Sequence, residues 1–206
     1  VLCLLALAGT LFASPTVMAA EPATIQKPQE LMDSVAQQMF AALDANRAQI
    51  RKNPDKALPL VDAILLPHFD TEYAARLVLA RHWNDATAEQ RNRFVLSLYH
   101  ALLRLYGSAI ADFTADRLKL LPYRGDDKSN EALVHTMVRR DSGAMVPVDY
   151  RLHLTPGGWK VYDVIIEGIS YVKNYRTDLG AEIDQKGLEE VIQRLDQEGL
   201  ASAVKR

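Results

Sequence analysis

The sequence predicts an α+β fold in which N-terminal helices pack on one face of a curved, four-stranded antiparallel sheet, with helices again at the C-terminal end. Three observations carry this. Apolar residues recur at helical spacing from Pro28 to about Phe113, the period changes to alternation after Asp116, and turns rich in glycine, proline and aspartate cut the alternating half into hairpin-sized pieces. A sheet of this kind that curls forms a cone whose mouth can admit a ligand.

The first segment, Val1 to Ala20, is nearly all apolar and small, then breaks into the polar Glu21-Pro22-Ala23-Thr24. It reads as an export signal cut after Ala19 or Ala20, since the apolar run before Ser14-Pro15 is short for a bilayer span. Residues 21–206 then form one domain. Cys3, the sole cysteine, has no lipobox of small residues ahead of it and leaves with the signal, so an exported chain without disulfides is held by its core alone.

From Pro28 to Asn53, Leu31, Val35, Met39, Ala42, Leu43 and Ile50 mark a long amphipathic helix. Asn53-Pro54 fits an N-cap with a first-turn proline and opens a short helix toward Pro67, bent or interrupted at Pro59. Asp70 can cap a third helix carrying Tyr73, Leu77 and Val78. Thr87 with Gln90 makes a capping box, and behind it runs the clearest helix of the chain. One of its stripes is Val95, Tyr99, Leu102, Tyr106, Ile110 and Phe113; the neighbouring one is Phe94, Leu98, Ala101, Leu105 and Ala109. Arg93, Ser97, His100, Arg104 and Asp112 keep to the remaining arc. So wide an apolar face must touch two surfaces.

Four strands follow, Leu118 to Tyr123, Ala132 to Asp141, Val146 to Leu154 and Trp159 to Glu167, joined at Gly125-Asp126-Asp127, Ser142-Gly143 and Pro156-Gly157-Gly158. In the third, Val146, Val148, Tyr150, Leu152 and Leu154 share the inward face, while Pro147, Asp149, Arg151 and His153 share the other. After Gly168 come a segment from Ile169 to Lys186 and a last helix from Leu188 to about Leu195.

Composition excludes several functions. A net charge of −2, with both signs interspersed, is not the footprint of a nucleic-acid binder, and no apolar stretch after residue 20 reaches membrane-spanning length. The five histidines are scattered without HExxH spacing or a cysteine partner, so no metal site is expected. There is no GxSxG elbow, P-loop or GxGxxG. His100 and His153 fall on polar faces, where solvation is their ordinary state. Asp163, among Val161, Tyr162, Val164 and Ile165, is the polar residue that asks for an explanation. It is either a buried carboxylate paired with Arg176 or a tyrosine hydroxyl, or the general base of a small-molecule enzyme with a cone fold.

WKVYDVIIEGISYVKNYR (Trp159 to Arg176), the ending GLEEVIQRL, the upstream segment from Leu66 to Gly107 and VDYRL (Val148 to Leu152) together resemble the MlaC, or toluene-tolerance, family of periplasmic phospholipid-binding proteins. The resemblance implies a nuclear-transport-factor-like cone with acyl chains between helices and curved sheet. It also implies a monomeric, non-enzymatic periplasmic carrier whose only bound group is its phospholipid cargo. That carrier would shuttle lipid between an outer-membrane complex of lipoprotein and porin and an inner-membrane ABC transporter complex with its periplasmic lipid-binding subunit, maintaining outer-membrane lipid asymmetry. One departure stands at Ala80-Arg81-His82-Trp83, where many relatives have a glycine followed by aromatics.

The physics of such a cargo is restrictive. Each buried methylene is worth about 0.8 kcal/mol, so two acyl chains amount to roughly 20 kcal/mol of transfer free energy or more. A carrier must cover the chains yet bind them little better than a membrane does. Expected walls are Tyr99, Leu103 and Tyr106 from the long helix, with Val138, Val148, Tyr150, Leu152, Val161 and Ile166 from the sheet. Tyr106 falls where the family's pocket-lining tyrosine lies. Val161 and Ile166 point to opposite faces of a regular strand, so both can face inward only across a bulge. Arg76, Arg81 and Arg140 are the candidates to meet a phosphate at the mouth. The competing expectations are the Asp163 enzyme and an interaction module with a filled core.

Overall fold

Helix α1 (Pro28–Lys52) begins with a proline in its first turn and ends in Arg51 and Lys52, cations that suit the negative end of the helix dipole. Val35, Met39, Leu43 and Ile50 make its buried stripe. The computed structural model describes the backbone of residues 26–111, 114–126 and 128–198, with side chains except at positions 54, 106–111 and 198. The export segment therefore lies outside the described residues, as does Phe113.

The helix expected from Pro54 to Pro67 is broken into three. Asn53 accepts a hydrogen bond from the Asp55 amide at 3.0 Å and opens a 3-10 turn, Pro54–Ala57. Helix α2 (Leu58–Ile64) starts afresh with Pro59 in its first turn, where a missing N–H does no harm, and a second 3-10 turn, Leu66–His68, follows. Asp70 caps α3 (Thr71–Leu79) by accepting from the Tyr73 amide at 2.9 Å. The one-turn α4 (His82–Asp85) leads to α5 (Ala88–Ala111), whose capping box is in place: Thr87 and Gln90 exchange backbone-to-side-chain bonds of 3.1 and 3.2 Å. Ala80, between α3 and α4, sits at φ 49°, ψ −113°, a conformation that glycine tolerates and alanine resists.

The sheet is an antiparallel meander in chain order, with five strands where the alternation suggested four. They are β1 (Leu118–Leu120), β2 (Glu131–Arg139), β3 (Met145–Thr155), β4 (Gly158–Ile166) and β5 (Ile169–Ser170). β1 stops short of Tyr123 because α1 supplies the next partner. The Gln29 amide donates to the Leu121 carbonyl at 3.1 Å and accepts from the Tyr123 N–H at 2.9 Å. β5 is a two-residue return after Glu167-Gly168, both at positive φ. It feeds α6 (Tyr171–Lys186), whose apolar residues Tyr175, Leu179 and Ile183 bury one residue per turn, too thin a stripe to declare a helix in the sequence. α7 (Leu188–Glu198) follows Gly187, at φ 86°.

A domain of ordinary packing has one contiguous core. Here the apolar side chains form three clusters. Phe94, Leu98 and Ala101 of α5 join Leu79, Tyr175, Leu179 and Val191 in the largest. Met39, Leu43, Ile50 and Val61 make a second between α1 and α2, and Val134, Leu152, Trp159 and Val161 a third on the sheet. Part of the polar arc of α5 is covered as well, while His100 stays exposed. Ser97, 2% exposed, donates to Asp196 at 2.6 Å, Arg93 pairs with Glu189 at 2.6 Å, and Arg104 donates to the Leu195 carbonyl, so α7 lies along that arc.

Candidate functional site

Where the three clusters meet they leave a cavity of about 490 Å³, within the range of roughly 300–1,000 Å³ usual for small-molecule sites. Its helical walls are Met39, Phe40 and Leu43 of α1, Val61, Leu65 and Leu66 of the α2 region, and Val95, Leu98, Tyr99, Leu102 and Leu103 of α5. Leu118, Leu120, Val138, Val148, Tyr150, Val161, Val164 and Ile166 face them from the sheet, and Tyr171 and Tyr175 enter from α6.

The inward face of β4 depends on one irregularity. Val148 pairs with Ile166, Tyr150 with Val164 and Arg151 with Asp163, but Leu152 pairs with Val161, so Tyr162 has no partner on β3. This bulge resets the alternation, and Val161 and Ile166 both reach the cavity. It also turns Asp163 out of phase with them, although Asp163 still borders the cavity. Asp163 is 4% exposed; its Oδ2 accepts from the Ser170 hydroxyl at 2.6 Å and its Oδ1 from the Val172 amide at 3.0 Å. Ser170 in turn caps α6 through the Lys173 amide at 3.1 Å. The carboxylate thus sits at the positive end of α6, a structural post, and its partners are Ser170 and Val172 instead of the expected Arg176 or a tyrosine. The general-base reading is left without support.

The hydroxyls of Thr136, Tyr99 and Tyr150 on the walls are engaged by the protein. Thr136, 1% exposed, donates to the Val148 carbonyl at 2.7 Å. Burial pushes the Tyr150 hydroxyl up to about 12, with the adjacent Thr136 hydroxyl acting the other way. Tyr99 donates to Asp62 of α2 across the cavity's edge, and burial, reinforced by that carboxylate, raises its pKa so that it stays a donor. With these hydroxyls engaged and most of the lining apolar, contact with hydrocarbon is the cavity's main means of holding a ligand.

Of the nine wall residues expected from the sequence, Tyr99, Leu103, Val138, Val148, Tyr150, Val161 and Ile166 line the cavity. Leu152 shares the inward face but is fully buried with Val134 and Trp159 in the sheet cluster, and the Tyr106 side chain lies outside the described residues. None of the three arginines does so: Arg81 is paired with Asp184 and Arg140 with Glu167 at 2.7 Å, and Arg76 is exposed on α3. Unforeseen were the α1 contributors Met39, Phe40 and Leu43, whose helical stripe was visible while its target was not.

A shallower polar groove of about 310 Å³ adjoins the cavity and shares Phe69, Asp70 and Thr71 with it; Glu72, Thr155 and Lys160 complete its lining. The shared segment is fastened to the edge of β4, where Phe69 bridges Val161 and the Asp70 amide donates to the Val161 carbonyl at 2.8 Å. Asp70 has a second duty. Its Oδ2 is 2.9 Å from Nε2 of His153, whose ring stacks on Tyr73 at 4.5 Å, so His153 is held in a cluster and is not simply solvated. Lys160 donates to the Pro67 carbonyl, and burial together with the Lys160 charge lowers the pKa of His68 on the cavity side. Among the described residues, no group of histidine, cysteine, aspartate and glutamate is arranged to hold a metal, and no helix is long and apolar enough to cross a membrane.

Comparison with known proteins finds likeness over most of the chain. The profile of the family described as MlaC protein matches residues 33–197. The toluene tolerance protein ttg2D of Pseudomonas putida is 28% identical over 163 residues, 79% of this chain and 75% of its own length. The intermembrane phospholipid transport system binding protein MlaC of Haemophilus influenzae is 22% identical over 173 residues, 82% of this chain and 81% of its own. Among solved structures, a phospholipid-binding protein from Ralstonia solanacearum in complex with a phospholipid superposes with a TM-score of 0.79 at 25% identity, covering 86% of this chain and 99% of that one.

Proposed function

Because the chain belongs to the MlaC protein family, we propose that it is a periplasmic phospholipid carrier, which holds the acyl chains of its cargo in the cavity and performs no catalysis. The observation that carries this reading is the unfilled, apolar junction of three separate clusters, which a filled-core interaction module would not need. The phospholipid in the Ralstonia solanacearum relative and the transport role in the name of the Haemophilus influenzae relative support it.

In this reading residues 1–20 direct export and are removed, and residues 21–206 work as a single monomeric domain that needs no cofactor. Tyr99, Leu103, Tyr106, Val138, Val148, Tyr150, Val161 and Ile166 contact the acyl chains, while Leu152 braces the sheet behind them. The cavity offers area in place of anchors. Burial near 25 cal/mol per Å² roughly matches what a bilayer gives the same chains, so lipid can be taken up and surrendered without a large loss either way. Its exchange partners are the outer-membrane lipoprotein and porin complex and the inner-membrane ABC transporter with its lipid-binding subunit.

The test is transfer. Labelled phospholipid in donor vesicles should move to acceptor vesicles at a rate proportional to added protein, and the protein should fractionate with the periplasm. A transfer rate unchanged by the protein would refute the proposal.

A further inference from the structure

Building on the carrier reading, we propose that α2 is the gate through which acyl chains enter and leave the cavity, and that the hydrogen bond from Tyr99 of α5 to Asp62 of α2 is the strap that holds it shut. Val61, Leu65 and Leu66 line the cavity, whereas Pro59, Asp62 and Ala63 are exposed, so this stretch is a wall with water on its outer side. The other walls are fastened more heavily. α1 is tied to the chain beyond β1 through both ends of the Gln29 amide, α5 carries α7 along part of its polar arc, the sheet is a hydrogen-bonded ladder, and α6 starts on the Asp163 carboxylate.

α2 lacks such ties. It is seven residues long, too short to persist on its own, and the 3-10 turns that flank it contain Pro54 and Pro67. Among the described residues, the Tyr99 hydroxyl is the only hydrogen-bonding group of α1, α5 or the sheet that reaches residues 58–66. The nearest fixed points on either side are the Asn53 amide, which donates to the Gln49 carbonyl of α1 at 3.0 Å, and the Pro67 carbonyl, which accepts from Lys160 of β4. Between them α2 rests on apolar contact, Leu60, Val61, Ile64 and Leu65 against Met39 and Leu43 of α1 and Leu103 of α5. A passing acyl chain can replace such contacts in kind, but it offers nothing to the Tyr99 hydroxyl or the Asp62 carboxylate. The strap is made in the closed molecule, loaded or empty, and is broken while a chain passes. Its loss therefore speeds uptake and release by one factor and leaves the equilibrium where it was, which separates a gate from a ligand contact.

The experiment follows a fluorescent phosphatidylglycerol by stopped flow in both directions between the full chain and phosphatidylethanolamine vesicles, and records its final partition. Asp62→Ala is expected to raise both rates about tenfold, the lower end for a hydrogen bond to a charged group, with the partition unchanged. Asp62→Asn, which keeps an acceptor, falls between Asp62→Ala and the parent. Tyr99→Phe raises both rates as Asp62→Ala does, and the double variant is no faster than either single one, because all three lack the same bond. Glu190→Ala, at an exposed carboxylate of α7, changes neither rate. Unchanged rates in Asp62→Ala, faster release with uptake unaltered, or additive acceleration in the double variant overturns the gate while the carrier reading stands. Failure of the unmodified chain to take up the lipid overturns the carrier reading itself.

Discussion

Val161 and Ile166 face the same cavity from one strand because Tyr162, bulged out of the ladder between Val161 and Asp163, shifts the alternation by one residue. The same shift hands the Asp163 carboxylate to the start of α6. A single irregularity therefore completes the sheet wall and fixes the helix that supplies Tyr171 and Tyr175 to it.

Asp163→Ala should consequently destabilise the fold by about 2–3 kcal/mol, the cost of orphaning the Ser170 hydroxyl and the Val172 amide in a buried place. Asp163→Asn, which keeps an acceptor, should lose less. Urea unfolding measures both, and lipid bound per folded molecule should not change. A variant with full stability would contradict the post-like role.

Val148 lies on the cavity wall opposite Ile166. Val148→Glu should expel acyl chains, since a carboxylate facing a closed hydrocarbon ligand would be desolvated without a partner. Far-ultraviolet circular dichroism should remain that of the parent while bound lipid falls at least tenfold. Collapse of the fold together with the binding would speak for a packed interior.

Ala80 holds a backbone conformation that costs a residue with a Cβ on the order of 1–3 kcal/mol. Ala80→Gly should raise stability by about 1 kcal/mol, the strain relieved outweighing the added freedom of the unfolded chain. The urea midpoint reports it, and a lowered midpoint would show that the turn is not strained.

Which parts were legible in the sequence follows from what periodicity reports. A stripe such as Val95, Tyr99 and Leu102 says which face of α5 is apolar, and alternation in β3 says which residues turn inward, so most wall residues could be named. Periodicity is silent on what covers a polar face. Arg93, Ser97 and Arg104 look solvated until α7 brings Glu189, Asp196 and the Leu195 carbonyl to them. The bulge has no composition of its own; only the demand that Val161 and Ile166 both face inward pointed to it. α6 was faint because its buried residues Tyr175, Leu179 and Ile183 come only about once per turn, and the pairing of Arg81 with Asp184 and of Arg140 with Glu167 leaves no local mark in the sequence.

Glu182 of α6 gives a pH dependence of known sign. Burial acts to raise its pKa, but Arg194 of α7, with Nε and Nη2 at 2.7 and 2.6 Å from its two oxygens, outweighs that and holds it below its ordinary 4.5. A carboxylate with a depressed folded-state pKa adds stability that is fully present above the unfolded-state value and fades as the pH falls through the folded-state one. Acidification below about 4.5 should therefore lower the unfolding midpoint of the parent more than that of Glu182→Gln. Equal acid sensitivity of the two would remove Glu182 from the account.

In the proposed carrier, hydrocarbon fills the junction of the three clusters. Native mass spectrometry of the exported protein, purified without detergent, addresses it most directly. The expected result is a species heavier than the polypeptide by the mass of a phospholipid, which dissociates on activation to the bare chain. A single species at the polypeptide mass, unchanged after incubation with phospholipid vesicles, would contradict it.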